Sequence, residues 1–589
     1  MITESEFLVL RHLMQIGEKK QSQRDISSAL GISLGKTNKL LKSLRSSGYI
    51  ADAGLTKAGK KILSQFKVKN AVIMAAGMSS RFAPLSYEKP KALLSVKGEI
   101  LIERQIRQLK EAGIDEIYVV VGYMKEKMYY LAEKFKINIV INEDYYRYNN
   151  TSSLIAVIDK LSNTYICSSD NYFLENVFEK YVYKPYYSAA YADGSTEEYC
   201  IRSAADGRIT DVKIGGKNSW YMIGHTYWDE HFSKEFASVL KKSYDESLTR
   251  SELWEKLYIR NIKKLSLYIR KYHGDVIKEF DSLDELRKFD SDYIENTDSE
   301  ILINIGRVLC CDISEIINIE PINSGLTNTS FKFECRNKRY VYRHPGAGTS
   351  RYINRRSEAA SMDIAKKLKL DNTYIYMDAS KGWKISLFVD NACEPDYRNE
   401  GQVKKALKLI KKLHESGEKT KYNFDIWSKI EDFYKELEIR GRDKFTGEDN
   451  IKKDICKLKR LADKDKSGRV ICHVDCYKTN FLIDEKGKFN LIDWEYSGMA
   501  DPAVDIGTFI ACSPYDVEEI GDILKYYLGR RAKKDEYRHY IAYVAFMSYY
   551  WFVWSLYQDS VGKPVGEWQY IWYKYTISYL QIALELYRK

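Results

Sequence analysis

Apolar residues recur with three different rhythms along this chain of 589 residues, and each rhythm marks a different kind of element. Over the first 66 residues the spacing is helical. Glu4 to Ile16 reads as an opening helix and QRDISSAL as a second, followed by a turn at Gly31, Ile32 and Ser33. LGKTNKLLKSLRSSG then forms a third helix, with Leu34, Leu41 and Leu44 at core spacing and Gly48 closing it. YIADAGLTKAGKKIL adds a short hairpin and a helix. After Lys67 the rhythm changes to short unbroken apolar runs, KNAVIMAAG, EIYVVVG, INIVINED and TYICSSDNYF, interleaved with the amphipathic LIERQIRQLKEAG. Such alternation predicts an α/β domain with a buried sheet. A polar bridge, DSDYIENTDSE, precedes a third unit, which opens with a hairpin, a strand and a helix and ends in aromatic helices. The resulting boundaries are 1–68, 69–292 and 300–589. The long apolar run Ile541 to Trp554 is interrupted by Ser548 and several Tyr and is too short to span a bilayer, so it predicts a buried helix and no membrane partner.

With 44% hydrophobic and 30% charged residues and only 9 Pro, the composition is that of a globular chain rather than a disordered one. MITESEFLVLRHLM carries charge early and no continuous apolar core, so no signal peptide is read and a cytoplasmic location is expected. Ten Cys without a C-x-x-C pair suit neither a zinc site nor a disulfide framework. The net charge of +11 is unevenly placed: residues 1–69 hold 13 Lys and Arg against 5 Asp and Glu, and the rest of the chain holds 80 against 77. Helix-turn-helix order with Lys36, Thr37, Asn38, Lys39 and Lys42 on the third helix suits DNA phosphates. The segment resembles the winged-helix domains of bacterial transcription regulators. A solvated lysine face on an interaction domain is the alternative.

In the second unit, the first strand runs into AAGMSSRFAPLSYEKPKALL. Small residues after a strand let backbone N–H groups approach an anion, which assigns Ala75, Ala76, Gly77, Ser79 and Ser80 to nucleotide phosphates, with Arg81 and Lys91 supplying charge. Asp170 ends a buried strand, where a carboxylate needs a cation or a donor. The string closely resembles the signature of sugar-phosphate and choline-phosphate nucleotidyltransferases, which implies a Rossmann-like mixed sheet. WYMIGHTYW and the segment ending in VIKEFDSLDELRKFD resemble the choline-phosphate branch, which implies CTP as substrate. The resemblance pairs Asp170 with Asp281 as Mg²⁺ ligands, Glu279 being the competitor and an N-cap role the alternative for Asp281. It places Asn150 and Thr151 at the base. Tyr191, Trp220 and Tyr227 are candidates to box a trimethylammonium through cation–π contacts, with packing as the alternative in a chain of 48 Tyr.

In the third unit ICHVDCYKTNFLIDEKGKFNLIDWE reproduces H-x-D-x-x-x-x-N followed by an Asp on an apolar strand. For a phosphotransferase this makes Asp475 the acceptor of the hydroxyl proton and Asn480 and Asp493 the Mg²⁺ ligands, with His473 structural. SGLTNTSFKF would cover the ATP phosphates through Ser324, Asn328 and Thr329, and Arg343 stands where protein kinases have Lys, with Glu358 as its partner. The whole third unit resembles the choline kinase and aminoglycoside phosphotransferase superfamily, which implies an α+β protein-kinase-like fold. Trp551, Trp554 and Tyr557 are then expected to cage choline, with Glu495 as a weaker candidate; a core-facing aromatic stripe is the alternative. The expected sequence of reactions is choline to phosphocholine with ATP, then phosphocholine to CDP-choline and pyrophosphate with CTP. An ethanolamine or other amino-alcohol pathway, and a regulator sensing choline or CTP, are the competing readings. The oligomeric state stays open, self-association included.

Overall fold

The computed structural model describes residues 2–17, 21–52, 54–274, 276–290, 293, 299–322, 328–346, 349, 353–465 and 467–588. They divide into two compact units, Met1–Ile301 and Leu302–Lys589.

The first unit opens with helices Glu4–Ile16, Gln23–Leu30 and Leu34–Ser46. Thr3 with Glu6 and Ser22 with Asp25 form capping boxes, and Ser33 accepts the Lys36 N–H, which satisfies the open donors that start each helix. The hairpin Ile50–Ala51/Gly54–Leu55 and the helix Lys57–Ser64 complete a winged helix. Its core does not close on its own residues. Phe7, Leu10, Leu41 and Leu44 share one apolar cluster with Tyr181, a residue of the sheet domain that follows. Phe66 stacks on Tyr183 with ring centroids 5.4 Å apart, and Phe7 lies 5.1 Å from Phe66 and 5.4 Å from Tyr183. Around this apolar seam the carboxylate of Glu179 accepts from Arg11 at 2.8 Å and from Arg270 at 2.7 Å.

The sheet has seven strands in the order Tyr268–Lys271, Tyr186–Ser203, Ile209–Trp228, Thr164–Ser168, Asn70–Ala75, Glu116–Val121 and Asn138–Ile141. Asn70–Ala75 is central, pairing in parallel with Glu116–Val121 on one side and Thr164–Ser168 on the other, while Ile209–Trp228 runs antiparallel to Thr164–Ser168. Central parallel strands are covered on both faces, which is why these runs are continuously apolar. Two cores result, one around Ile102, Ile106 and Val119 and one around Trp228, Phe236 and Trp254.

The second unit carries a five-stranded sheet in the order Ile317–Ile322, Asn328–Cys335, Lys338–Pro345, Lys384–Leu387 and Tyr374–Met377, with the helix Arg355–Lys367. A helical lobe follows. The 27-residue helix Lys534–Ser560 is buried along most of its length, including His539 to Ser555 apart from Tyr543, and packs against Trp568–Leu586. No helix among the described residues is long and apolar enough to cross a membrane.

Phe7→Ala removes the ring that joins the winged helix to Phe66 and Tyr183. We expect it to cost about 3 kcal/mol, read as a lower first transition in thermal unfolding of the full chain with the transition of the second unit unchanged.

Candidate functional site

At the end of the strand Asn70–Ala75 the chain passes buried Ala75 and Ala76 into an open loop. A Cβ built on Gly77 would meet nothing within 4 Å, and Ser79 adopts φ 47°, so the loop leaves room where an anion would approach the backbone. Phe82, 1% exposed, anchors the following turn. Lys91 is buried, with Nζ 2.9 Å from Asp170 Oδ2 and 5.3 Å above the Phe82 ring. Arg81 Nη1 lies 2.9 Å from Asp281 Oδ1, both side chains open to solvent.

The strand Ile277–Glu279 pairs antiparallel with Asn171–Phe173, setting Glu279 opposite Asn171 and so beside Asp170. Glu279 is raised above the usual carboxylate range by crowding away from water, then by Asp170, with Asp281 and Glu198 adding and Lys91 opposing. Glu279 stands at the solvent-exposed rim of the site. Glu198 is raised by desolvation and then by Asp281. Asp170 and Asp281 act on Glu279, and Asp281 on Glu198, so the four are neighbours, and carboxylate oxygens are hard donors of the kind Mg²⁺ takes. Asp170 with Glu279 and Asp281 are the residues that would hold it. Ser282, not Asp281, caps the helix Leu283–Phe289, so the N-cap alternative for Asp281 does not apply.

The same domain carries an aromatic cavity of about 470 Å³ lined by Tyr191, Trp220, His273 and Gly274. Tyr191 and Trp220 are cross-strand partners, with ring centroids 5.3 Å apart, and His273 stands edge-on to Trp220 at 5.1 Å. Lys271 Nζ sits 5.0 Å from the Trp220 centroid, showing that the ring accepts a cation. Tyr221, the residue after Trp220, faces the other side of the sheet, where it is raised by burial and then by Glu198 and Glu279. The third expected box residue is not there: Tyr227 is 1% exposed and packs against Tyr165 in the core. The expected base contacts also change. Thr151 is fully buried and donates to the Thr249 carbonyl at 2.9 Å, and Asn150 Oδ1 accepts the Trp254 N–H at 2.7 Å. Both side chains tie down neighbouring helices instead of facing a ligand.

In the second unit the catalytic loop hangs from Asp505. Its carboxylate accepts the His473 N–H at 2.9 Å and the Val474 N–H at 2.6 Å, and His414 Nε2 lies 2.9 Å away. Val474 at φ 74° and Asp493 at φ 64° are held in the left-handed region, where strain concentrates at working sites. His473 Nε2 meets the Ile492 carbonyl at 2.8 Å, the structural role expected of it. Asn480 Nδ2 donates to Asp475 Oδ2 at 2.9 Å, so the amide oxygen is the atom of Asn480 suited to a metal. Burial, then Asp493 and Glu495, push Asp475 up to about 8. Burial would also raise Asp493, but Lys384 and Arg343 outweigh it and hold that carboxyl below its ordinary range.

Arg343 forks between Glu358 and Asp493, the latter at 3.0 Å, so the expected Arg343–Glu358 pair is present. Arg355 joins the same network, with Nη1 2.9 Å from Glu358 and Nη2 3.0 Å from Asn328 Oδ1. Asn328 Nδ2 donates to Glu495 at 2.8 Å, while Thr329 is exposed. Ser324 lies outside the described residues. Glu495, expected beside choline, belongs instead to this cationic network, 3.5 Å from Arg355 and 3.7 Å from Arg343.

A cavity of about 390 Å³ adjoins the catalytic loop, lined by Tyr397, Lys478, Cys512, Trp568 and Tyr575 among others. Trp551, Trp554 and Tyr557 do not line it. Trp551 and Trp554, 4% and 7% exposed, pack around Trp572 behind Trp568, and Tyr557 stacks on Phe433. The helical spacing of these three residues reflects core packing. On the winged helix, Lys36, Lys39, Lys42 and Arg45 are exposed and Asn38 is half-buried. Thr37 is fully buried and donates to the Ser33 carbonyl at 3.1 Å, so it cannot reach DNA.

The sequence reading missed Glu198, His273, Arg355, Lys384 and Asp505. Asp505 had a signal: a carboxylate within the apolar helix Ala503–Ala511 demands buried partners.

The two sites define a nucleotidyltransferase and a kinase-fold phosphotransferase on one chain. Residues 2–51 match a winged helix-turn-helix DNA-binding family, 71–193 a MobA-like NTP transferase domain and 319–579 the choline/ethanolamine kinase family. The choline-phosphate cytidylyltransferase of Streptococcus pneumoniae is 34% identical over 220 residues, covering 37% of this chain and 96% of that protein. The 2-aminoethylphosphonate cytidylyltransferase of Lancefieldella rimae is 34% identical over 229 residues, covering 38% and 93%. The crystal structure of choline kinase LicA from Streptococcus pneumoniae superposes with a TM-score of 0.42 at 23% identity, covering 48% of this chain and all of that one. The chain belongs to the choline-phosphate cytidylyltransferase family, and a choline/ethanolamine kinase domain is fused to it.

Asp505→Asn replaces an acceptor of two backbone N–H groups with an amide that can satisfy only part of the set. We expect phosphoryl transfer to fall about 100-fold or more, with nucleotidyl transfer unchanged, in parallel assays of the two half-reactions.

Proposed function

We propose that this protein converts choline to CDP-choline in two consecutive steps, with residues 300–589 carrying the first, 69–292 the second, and 1–68 binding DNA. The observation that carries the reading is the pairing, on one chain, of the Asp475–Asn480–Asp493 loop with an acidic, lysine-bearing nucleotide site in a domain that also holds an aromatic cavity. A quaternary ammonium has no N–H to donate, so aromatic faces such as Tyr191 and Trp220 are what can recognise it.

In the first step the choline oxygen attacks the γ-phosphorus of ATP as the bond to the β-phosphate oxygen breaks, and ADP leaves. Asp475 takes the hydroxyl proton; a carboxyl raised to about 8 is a stronger base than an ordinary one. In the second, a phosphocholine phosphate oxygen attacks the α-phosphorus of CTP and pyrophosphate leaves. Lys91 and Arg81 meet the triphosphate charge over the Gly77 loop, and Tyr191, Trp220 and His273 hold the ammonium end. Asp493 and Asn480 in the one half, and Asp170 with Glu279 and Asp281 in the other, would hold Mg²⁺, which would supply the positive charge that lets anions meet. These nucleotides are cytoplasmic metabolites, and we place the reaction there. The exposed Lys36, Lys39, Lys42 and Arg45 suit DNA phosphates, and such binding would weaken steeply with salt.

One observation favours a second substrate class. The 2-aminoethylphosphonate enzyme is as similar in sequence as the choline-phosphate enzyme, so a primary-amine headgroup is the alternative at the same cavity.

Incubation of the full chain with choline, ATP, CTP and Mg²⁺, followed by mass spectrometry, should yield CDP-choline. Asp475→Ala should stop the reaction at choline and Asp170→Ala at phosphocholine. Turnover of ethanolamine or 2-aminoethylphosphonate with choline untouched would replace the substrate while keeping both reaction types.

A further inference from the structure

We propose that Lys384 binds the nucleotide phosphates in the kinase half, beside Arg343, whose Nη1 and Nη2 are held by carboxylates of the protein. The proposal rests on the kinase reading given above. Lys384 lies on the strand Lys384–Leu387 and is paired in register with Arg343 on Lys338–Pro345. Residues directly opposite in an antiparallel pair share a face, so the two cations stand side by side, both directed at Asp493.

Their bonding differs. Arg343 contacts Glu358 through Nη2 and Asp493 at 3.0 Å through Nη1, with Glu495 3.7 Å away and the Gly382 carbonyl 3.5 Å from Nη2. Arg355 is spent in the same way on Glu358, Asn328 and Thr349. Neither can release its donors without unpairing a buried carboxylate, which is costly. Lys384 is 9% exposed, yet its Nζ stays 3.6 Å from both Glu358 and Asp493, too far for a hydrogen bond. Among the described residues its ammonium makes no hydrogen bond. The surrounding field holds it in place while its three N–H donors remain for a ligand with strong acceptors. Asp493 would hold the Mg²⁺ that accompanies a nucleotide, so the acceptor that fits beside Lys384 is a phosphate oxygen.

A division of labour follows. Arg343 fixes the helix Arg355–Lys367 and Asp493 with a planar fork, the geometry a guanidinium serves best, and Lys384 meets phosphate as a point charge, which an ammonium serves best.

The test uses the full chain with Lys384→Met and Lys384→Arg, and titration calorimetry with ADP in the presence of magnesium and with adenosine. Lys384→Met should weaken ADP binding about tenfold or more while adenosine binding stays unchanged. KM for ATP should rise and KM for choline should not, and Lys384→Arg should recover much of the ADP affinity. Equal weakening of ADP and adenosine would mean that Lys384 only supports the fold and would overturn the proposal, as would unaltered ADP binding. A wild-type chain that neither binds ADP nor consumes ATP would instead overturn the kinase reading beneath it.

Discussion

A carboxylate removed from water keeps its charge only where a cation or an N–H group meets it, and both catalytic halves are organised around that requirement. Asp170 is met by the buried ammonium of Lys91 at 2.9 Å. Asp493 is met by Arg343 and Lys384 together, and Asp505 by two consecutive backbone N–H groups. The two halves use the same constraint differently. In the nucleotidyltransferase the acidic groups crowd at an open rim, where a metal and a triphosphate can arrive together. In the kinase they are knitted into a buried lattice of Glu358, Arg343, Arg355, Glu495 and Asn328. Loss of one member there leaves the rest unpaired, so the lattice acts as a unit.

Elements whose signals are local were legible in the sequence. The helices Glu4–Ile16 and Gln23–Leu30 begin one residue after Thr3 and Ser22, whose capping boxes are written into the neighbouring Glu6 and Asp25. The Asp475 loop and the Gly77 loop were legible because phosphate chemistry needs fixed residue types at fixed spacing. Burial was harder to read. Thr37, Thr151 and Tyr227 are chemically apt for ligands, but each lies in a place closed off by residues distant in sequence, such as Thr249 for Thr151 and Tyr165 for Tyr227. The aromatic periodicity of Trp551, Trp554 and Tyr557 fitted both a cage and a core, and Trp572 and Phe433 decide for the core. Glu279 comes beside Asp170 only through the pairing of Ile277–Glu279 with Asn171–Phe173, which no local signal in the sequence encodes. Lys384 sits in a short apolar strand without a motif, and its meaning comes from Arg343 across the ladder.

Placing two steps on one chain fits the chemistry of the intermediate. Phosphocholine carries a positive end and a negative end. In the proposed order the kinase half creates the phosphate, and the nucleotidyltransferase domain carries cations at its nucleotide loop and aromatic faces in its cavity.

The seam between the winged helix and the sheet domain limits how this protein can be rearranged. Tyr181 and Tyr183 complete an apolar core that otherwise belongs to the winged helix, and Glu179 binds one arginine from each side. Such a module cannot be exchanged for another of its kind by matching linker length alone, nor clipped away by a protease without leaving two exposed aromatic scars. Recombination that shuffles domains would have to carry residues 177–184 along with the helix-turn-helix, so this fusion evolves as a joined pair rather than as interchangeable parts.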